Sequence, residues 1–270
     1  MDEKRHLNIL SLGAGVQSST MALMAAHGEI TPMPDACIFS DTGAEPDSVY
    51  RYLDWLETVL PFPVYRVMEK DGLLVDLERG ITGHRCSNPP LFTEDENGNG
   101  GILMRTCTMD FKIRPITRKT KELVGWKGRK PKEVRCTTWI GISMDEIQRV
   151  KESREPWIEH RWPLIDLRMR RHQCLEWMEE KGYPKPPRSA CWFCPYHSNT
   201  EWRRLRDEEP KEFAKAVDLD KRIRGGVHNA KSTLYLHRSL KPLDEVDLST
   251  DVERGQTTLW DDECDGLCML

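Results

Sequence analysis

No apolar run in the sequence reaches the roughly 20 residues that a membrane-spanning helix requires. The first six residues, Met-Asp-Glu-Lys-Arg-His, also lack the apolar segment of a secretory signal peptide. We therefore expect a cytoplasmic protein without a membrane partner. Hydrophobic residues make up 38% of the 270 residues and charged residues 31%, which predicts a soluble chain with one large domain, or one domain and a smaller appendage.

A disulfide framework is also excluded, because the expected compartment is reducing. The nine cysteines are instead expected to bind a metal, to take part in catalysis or to pack in the core. Cys37 and Cys136 lie within apolar segments and Cys174 lies within a helical one, so we predict that these three are core residues.

The net charge of −4 does not by itself predict a nucleic-acid partner, but the charges are unevenly distributed. Residues 112–135 contain ten lysines and arginines against two glutamates, whereas the segment from Asp244 to Asp265 is acidic. Such asymmetry is typical of a polyanion-binding face, and a solvated surface is the alternative.

Apolar runs alternate with helical patterns near the start of the chain. Residues 7–12, 36–40 and 63–67 predict strands, and residues 18–26 and 47–60 predict helices. This βαβαβ order predicts an α/β fold with a parallel sheet, right-handed crossovers and ligands at the carboxyl ends of the strands.

The rest of the chain is less regular. Residues 97–101, Asn-Gly-Asn-Gly-Gly, predict a flexible loop. A buried strand is predicted over residues 134–142, and Ser143 and Glu146 predict a capping box for the helix that follows. Residues 169–181 and 200–218 predict further helices. We therefore predict an α/β domain over residues 1–160, a mostly helical, cysteine-bearing region over 161–250, and an acidic, cysteine-containing tail over 251–270.

Small and hydroxyl-bearing residues connect the first strand to the first helix. Small residues let the backbone approach a ligand, and successive N–H groups at a helix start can bind one anion. The segment predicts a phosphate site, although it is not a Walker A loop because no Gly-Lys-Ser/Thr follows. A tight structural turn is the alternative. The predicted phosphate-binding residues are Ser11, Gly13, Ala14, Gly15, Val16, Gln17, Ser18 and Ser19.

Two further segments follow predicted strands and are expected to face the same crevice. Asp41, ahead of Thr42 and Gly43, can accept a hydrogen bond from a ribose hydroxyl or an adenine amine, or help to place Mg²⁺; a helix N-cap is the alternative. The segment from Gly141 to Arg149 follows another strand. Arg149 can bind a phosphate bidentately, and pairing with glutamate on a surface helix is the alternative.

A Cys-x-x-Cys pair, Cys191 and Cys194, lies downstream of Cys107. Thiolates at this spacing can bind zinc or two corners of an iron–sulfur cluster. The pair also occurs in redox motifs, but the strand-to-helix context of a thioredoxin site is missing here.

In this order, these four features resemble the PP-loop ATP pyrophosphatases, in the branch that contains the phosphoadenosine-phosphosulfate reductases. The resemblance covers roughly residues 7–198. Residues 13–19 are similar to the family's Ser-Gly-Gly-Lys-Asp-Ser-Thr, residues 41–43 to its Asp-Thr-Gly, and residues 141–149 to its Gly-x-Arg-x-x-Glu-Ser. Cys107 with Lys112 and Pro115 resembles the family's Cys…Lys…Pro segment, and Cys191-x-x-Cys194 its downstream cluster pair.

The resemblance implies a Rossmann-like fold of the adenine nucleotide alpha-hydrolase (HUP) type that binds ATP with Mg²⁺. It implies that a substrate oxygen attacks the α-phosphate and that pyrophosphate leaves, through positioning and charge neutralisation. The implied catalytic residues are Ser18, Gln17, Asp41, Lys112 and Arg149. The implied nucleotide-binding residues are those of the first loop with Asp41, Thr42, Gly43 and Gly141.

The resemblance also implies a [4Fe-4S] cluster held by Cys107, Cys191 and Cys194. We choose Cys86 as the fourth ligand because it lies in the same irregular region. His197 would instead complete a Cys₃His zinc site.

The first loop departs from the family pattern, because Val16-Gln17 replaces its Lys-Asp. Residues outside this loop must then bind the pyrophosphate, and Lys112, Arg114 and Arg149 are the candidates.

Three functions follow from the resemblance. The first is an ATP pyrophosphatase that activates a substrate for sulfur incorporation, as in the DNA phosphorothioation branch, whose members work beside a cysteine desulfurase; the basic segment supports a nucleic-acid substrate. The second is a sulfonucleotide reductase with Cys264 or Cys268 as nucleophile, although the acidic flank disfavours the required thiolate. The third is a non-catalytic nucleotide-binding module with a structural metal.

Overall fold

The computed structural model describes residues 6–128, 131, 133–228, 230–249 and 253. These residues form two compact units. The first unit contains the described residues within 6–41, 47–68 and 112–189, and the second contains those within 42–46, 69–111 and 190–253. Residues 69–111, within the range 1–160 predicted as one domain, belong to the second unit. The predicted domain boundaries stay a prediction.

The helices and strands follow one another in mixed α/β order along the described chain. In chain order they are β1 Leu7–Leu12, α1 Val16–Ala26, β2 Ala36–Asp41, α2 Asp47–Val59, β3 Val64–Met68, α3 Leu73–Ile81, β4 Phe92–Glu94, β5 Gly100–Ile102, a π-helical turn Met109–Ile113, α4 Arg114–Val124, β6 Cys136–Ile140, a 3₁₀ helix Met144–Arg149, β7 Ile158–Arg161, α5 Pro163–Asp166, α6 Arg171–Glu180, α7 Asn199–Glu208, α8 Pro210–Ile223, β8 Thr233–Tyr235 and a 3₁₀ turn Leu243–Glu245.

The first unit is built on a five-stranded parallel sheet with the order β3-β2-β1-β6-β7. This confirms the predicted α/β, Rossmann-like fold with a parallel sheet. Strand β1 is central, and the chain adds strands on its β2 side before it adds β6 on the other side. In open sheets of this kind the ligand crevice lies outside the carboxyl ends of the two strands where the order reverses, here β1 and β6.

The two faces of this sheet bury separate cores, because successive strand residues point to opposite sides. Leu10 and Leu12 of β1 pack in one core with side chains of α1, α2 and α6. Leu7 and Ile9 pack in the other, against which Ile116 of α4 lies. Each of these leucine and isoleucine side chains contributes roughly 1.5–3 kcal/mol through burial. The central strand is therefore held from both sides, which fixes the position of the turn that follows it.

The second unit combines α3, α7 and α8 with an antiparallel sheet of order β5-β4-β8. Its helices α7 and α8 confirm a largely helical C-terminal region. The predicted single helix over residues 200–218 is interrupted, because Pro210 has no N–H to continue the α-helical ladder and begins a new helix.

The prediction of a flexible loop over residues 97–101 was wrong in part. Strand β5 begins at Gly100 and pairs with β4 to form a hairpin. The connecting turn is fixed by Asp95, whose Oδ1 accepts the N–H groups of Asn97 and Asn99 at 2.9 and 2.8 Å. An aspartate that binds backbone N–H groups two or more residues ahead stabilises such a turn.

The predicted capping box at Ser143 and Glu146 was also wrong. Ser143 is the N-cap residue of the 3₁₀ helix, but its Oγ donates to Asp145 Oδ2 at 3.3 Å and accepts no N–H from the helix. The Glu146 carboxylate accepts from Arg149 and Gln17 instead. Two partners from the same 3₁₀ helix, Asp145 and Arg149, and one distant partner, Gln17, therefore take the place of the capping box.

The three cysteines predicted to be core residues are confirmed as buried: Cys37, Cys136 and Cys174 have 0% exposure. Burial raises the pKa of Cys136 to about 11 and that of Cys174 to about 12, which keeps both as neutral thiols. Throughout the described part of the chain, every helix is too short or too polar to cross a bilayer.

His237 is a buried imidazole in the second unit. Its Nε2 lies 3.0 Å from Asn199 Oδ1, and its Nδ1 accepts the Ser239 N–H at 3.1 Å. Burial, with a smaller effect of the charge on Arg238, lowers the pKa of His237 from 6.5 to about 4. The folded state therefore holds this ring neutral at pH values where the unfolded chain already binds a proton.

We predict that the stability of the second unit falls between pH 6.5 and 4 because of this ring. A depressed histidine pKa contributes stability that is complete above the unfolded pKa and is lost as the pH falls through the folded pKa; the loss amounts to at most about 3 kcal/mol. His237→Gln should flatten the pH dependence of urea unfolding, whereas His172→Gln, at an exposed site, should leave it unchanged. Equal pH dependence in wild type and His237→Gln would contradict the prediction.

Candidate phosphate site

The turn between β1 and α1 is stabilised by the first turn of its own helix. Ala14 is buried and has φ +56°, in the left-handed region that non-glycine residues rarely adopt. Ser18 Oγ accepts the Gly13 N–H at 3.1 Å and lies 3.4 Å from the Gly15 carbonyl oxygen, to which it can donate. The hydroxyl of Ser18 thus fixes the loop conformation from within the protein.

Helix α1 begins directly after Gly15, its N-cap residue, and has no acidic residue in its first turn. A glycine cap has no side chain to accept the first N–H groups of the helix. Those groups and the helix dipole leave partial positive charge at this end of α1. The arrangement fits an anion, as the sequence predicts for residues 13–19.

Gly141, at the end of β6, lies against the backbone of the first turn of α1. A Cβ atom on Gly141 would lie 2.8 Å from Ser18 N and 2.9 Å from Ser18 Cα. Only glycine allows this approach without movement of the backbone. The structure therefore brings two predicted nucleotide-binding segments, the first loop and Gly141, together at the β1–β6 crevice.

A chain of polar side chains extends from this contact. Gln17 Nε2 donates to Glu146 Oε2 at 3.2 Å, and Arg171 Nη1 donates to Gln17 Oε1 at 2.9 Å. Arg149 forms a short hydrogen-bonded ion pair with Glu146 Oε1, and both side chains are buried. The hydrogen bonds link Arg171 to Gln17, Gln17 to Glu146, and Glu146 to Arg149. Two cations therefore flank one carboxylate and one amide.

These hydrogen bonds bear on the predicted role of Arg149 in phosphate binding. Its guanidinium already pairs with the Glu146 carboxylate, so much of its charge is compensated inside the protein. The glutamate–arginine pairing that was the alternative interpretation is therefore present, with both side chains buried on a 3₁₀ helix that exposes Ile147. Binding of phosphate by Arg149 stays a prediction.

Arg171 was not predicted from the sequence. It is the first residue of α6 and lies 154 positions from Gln17 along the chain, so no local pattern links the two. Its backbone N–H donates to Asp145 Oδ2 at 2.5 Å, which ties the start of α6 to the 3₁₀ helix. The three arginines at positions 168, 170 and 171 were the available signal, but a basic cluster does not specify which side chain turns inward.

The other predicted residues occupy separate positions. Asp41 ends β2, and its Oδ1 accepts a hydrogen bond from Tyr50 of α2 at 2.7 Å. Ser11 lies in β1 beside Ile38 and Ile140 of the neighbouring strands. Lys112 lies in the π-helical turn before α4. The roles of these three residues stay predictions.

Thr42 and Gly43 belong to the second unit. The Thr42 hydroxyl lies 3.2 Å from Cys191 Sγ, and the Thr42 carbonyl accepts the Leu73 N–H at 2.7 Å. Gly43 has φ +70°, which favours glycine. These contacts give both residues a structural role, and their predicted contact with a nucleotide stays a prediction.

The four predicted metal ligands share one hydrophobic core of the second unit. Cys86 and Cys191 are buried in it, and Cys107 and Cys194 are half-buried against it. Cys86 Sγ lies 3.9 Å from Asn88 Oδ1, and the Asn88 carbonyl accepts the Cys107 N–H at 3.3 Å.

The four thiols are spread over this core. No three His, Cys, Asp or Glu side chains of the described residues come together as a group that could hold a metal ion. Burial, and the nearby charge of Asp76, raise the pKa of Cys86 and disfavour the thiolate that metals require. His197 Nε2 lies 2.9 Å from the Cys191 carbonyl oxygen, a backbone partner. The [4Fe-4S] cluster and its zinc alternative stay predictions, and we derive no chemical step through either.

No protein-family model matches the sequence, and no curated protein matches it. Among solved structures, the chain is similar to the phosphoadenylyl-sulfate (PAPS) reductase of Candida auris, solved as a phosphate complex. The two share 11% sequence identity with a TM-score of 0.43, over 68% of this chain and 81% of that chain. The assignment of the first unit as a Rossmann-like α/β fold rests on its own strand order.

We predict that Gly141→Ala destabilises the first unit by about 1–3 kcal/mol, because the added methyl group would overlap the Ser18 backbone. Urea unfolding measures the change. Gly225→Ala is the matched control, since a Cβ atom there meets nothing within 4 Å and the backbone is not left-handed, so its effect should stay within about 0.5 kcal/mol. Indistinguishable unfolding curves for the two variants would refute the close contact.

Proposed function

We propose that the chain is an ATP pyrophosphatase, which binds ATP at the turn between β1 and α1 and transfers its adenylyl group to an acceptor. The observation that carries this proposal is the contact of Gly141 with the first turn of α1. It places an uncapped helix N-terminus in the crevice between the carboxyl ends of β1 and β6, the site where open parallel sheets bind nucleotides.

The proposed reaction is a displacement at the α-phosphorus. An acceptor oxygen forms a bond to this atom, the bond to the bridging oxygen breaks, and pyrophosphate leaves with the electron pair. Such reactions need little covalent participation by the protein, so positioning and charge neutralisation provide most of the catalysis. The N–H groups of the loop and of the first turn of α1 would orient the phosphates.

Mg²⁺ would neutralise charge that develops on the departing pyrophosphate. Bound with a nucleotide, Mg²⁺ typically takes phosphate oxygens, water and one or two carboxylates. Asp41 is the carboxylate that ends β2, beside β1 in the sheet, and its Oδ1 accepts a hydrogen bond from Tyr50. This residue therefore fits the role that the sequence predicts for it.

A nucleic-acid acceptor and a sulfur-donating partner such as a cysteine desulfurase are part of the proposal. Two lysines of the basic segment are engaged locally: Lys119 pairs with Glu122, and Lys121 lies 4.6 Å from the centre of the Trp126 ring. Arg118 and Lys127 are exposed. Exposed cations of this kind add sequence-independent affinity for a polyphosphate backbone.

The reductase alternative requires Cys264 or Cys268, which lie outside the described residues, as does the predicted acidic tail over 251–270 apart from Glu253. No contact in the described chain favours it over adenylyl transfer. The non-catalytic alternative has one supporting observation, the internal pairing of Arg149 with Glu146, which compensates part of the charge of a predicted phosphate ligand.

We predict that the purified protein releases pyrophosphate from ATP with Mg²⁺ in the presence of DNA, and that Ser18→Ala lowers kcat/KM about 10-fold. Loss of the two Ser18 hydrogen bonds frees the loop, and one such bond is worth about 1 kcal/mol. A coupled pyrophosphate assay measures both.

The matched control is Ser153→Ala. Ser153 Oγ also donates to a carbonyl and accepts an N–H, both of Glu155, but lies away from the first loop. Its rate should equal that of the wild type. ATP binding without pyrophosphate release, with every acceptor tried, would reject the enzyme and support the non-catalytic module.

A further inference from the structure

The first loop has too little positive charge for the ligand proposed for it. Residues 13–19 contain no charged side chain. A helix N-terminus contributes the equivalent of roughly half an elementary charge, whereas the phosphate chain of ATP carries several negative charges. Mg²⁺ would balance part of this charge, and a cation from another part of the first unit would balance more of it.

Arg171 is positioned to be this cation. Two hydrogen bonds fix it: its backbone N–H donates to Asp145, and its Nη1 donates to Gln17 in the first turn of α1. Within the described residues its guanidinium has no ion pair with a carboxylate, and its buried Nε has no hydrogen-bond partner. Arg149, by contrast, is paired with Glu146.

Gln17 explains how Arg171 is oriented without being neutralised. Its Nε2 donates to Glu146, which directs Oε1 toward Arg171. An amide oxygen can accept from the guanidinium while it leaves the positive charge uncompensated. A carboxylate at position 17 would form an ion pair with Arg171 and lie beside the Glu146 carboxylate as well.

We propose that Arg171 binds the phosphate chain of the nucleotide at the turn between β1 and α1, and that Gln17 is the residue that positions it. The inference rests on the proposed function, since it names the cation of the same site. It replaces the candidates Lys112, Arg114 and Arg149 with a residue of α6 that the fold brings to the loop. Its charge selects for phosphorylated ligands and is indifferent to the adenine and ribose.

The experiment measures dissociation constants for ATP, inorganic pyrophosphate and adenosine by calorimetry. We expect Arg171→Gln to weaken the binding of ATP and pyrophosphate about 10- to 100-fold. The dissociation constant for adenosine should change by no more than about twofold. Arg171→Lys should recover part of the affinity, because it retains the charge. Arg170→Gln, the matched control, removes an exposed cation one position away and should change nothing.

Gln17→Glu supplies an independent test, because the glutamate side chain has nearly the same shape as that of glutamine. The new carboxylate should pair with Arg171 and weaken pyrophosphate about 10-fold or more, while Arg171 itself is intact. Far-UV circular dichroism and thermal unfolding confirm that each variant is folded. If Arg171→Gln binds pyrophosphate as tightly as Arg170→Gln, or loses ATP and adenosine equally, the assignment of Arg171 is overturned.

The outcomes also separate this inference from the proposed function. Wild-type protein that binds pyrophosphate through Arg171 but binds neither ATP nor adenosine supports the anion site and rejects the nucleotide enzyme. Wild-type protein that binds ATP with an affinity independent of Arg171 retains the proposed function and overturns the inference. Wild-type protein that binds neither pyrophosphate nor ATP overturns both.

Discussion

The contact between Gly141 and the first turn of α1 is the constraint on which the candidate site depends. A missing side chain at the end of β6 lets this strand meet the backbone of Ser18, so the turns after β1 and β6 converge. The 3₁₀ helix that follows Gly141 is thereby placed beside Gln17, and Glu146 can accept its amide. The same contact sets the start of α6 through Asp145. One close backbone approach thus organises a polar site from three separate segments.

The charged side chains of this site differ in how far their charges are compensated within the protein. The buried carboxylate of Glu146 is compensated by Arg149 and by an amide, as buried charges require. The side chain of Arg171 donates to the neutral amide of Gln17, and its backbone N–H donates to the Asp145 carboxylate. A protein interior tolerates such a cation most readily where solvent or an anionic ligand has access to it, and Arg171 is half-buried. The loop, the helix start and one arginine together form a cradle suited to phosphate.

The cysteines predicted as metal ligands pack in the hydrophobic core of the second unit, and their binding of a metal stays a prediction. Cys86 packs so closely that a Cβ atom on Gly80 would lie 2.2 Å from its sulfur, and Cys191 lies against the Thr42 hydroxyl. The predicted ligands are near one another in the sense that they share a hydrophobic core. Sharing a core is less demanding than tetrahedral ligation, which requires thiolates directed at one point. The spacing of the cysteines in the sequence indicates that they lie in one part of the fold. It does not show whether their sulfur atoms are directed at one metal ion.

Local patterns in the sequence predicted β1, β2, β3 and β6 with α1, α2 and α6 of the first unit, the parallel sheet, the buried cysteines and the turn after β1. Hydrophobic periodicity and small-residue turns are properties of neighbouring residues. The pairing of β4 with β8 and the hydrogen bonds of Gln17 with Glu146 and Arg171 depended on the tertiary structure. Each of these joins residues whose encounter is decided by packing: Arg171 meets Gln17 across 154 positions. Hydrogen bonds formed over such separations leave no periodic trace in the sequence, so only the folded chain reveals which polar side chains become partners.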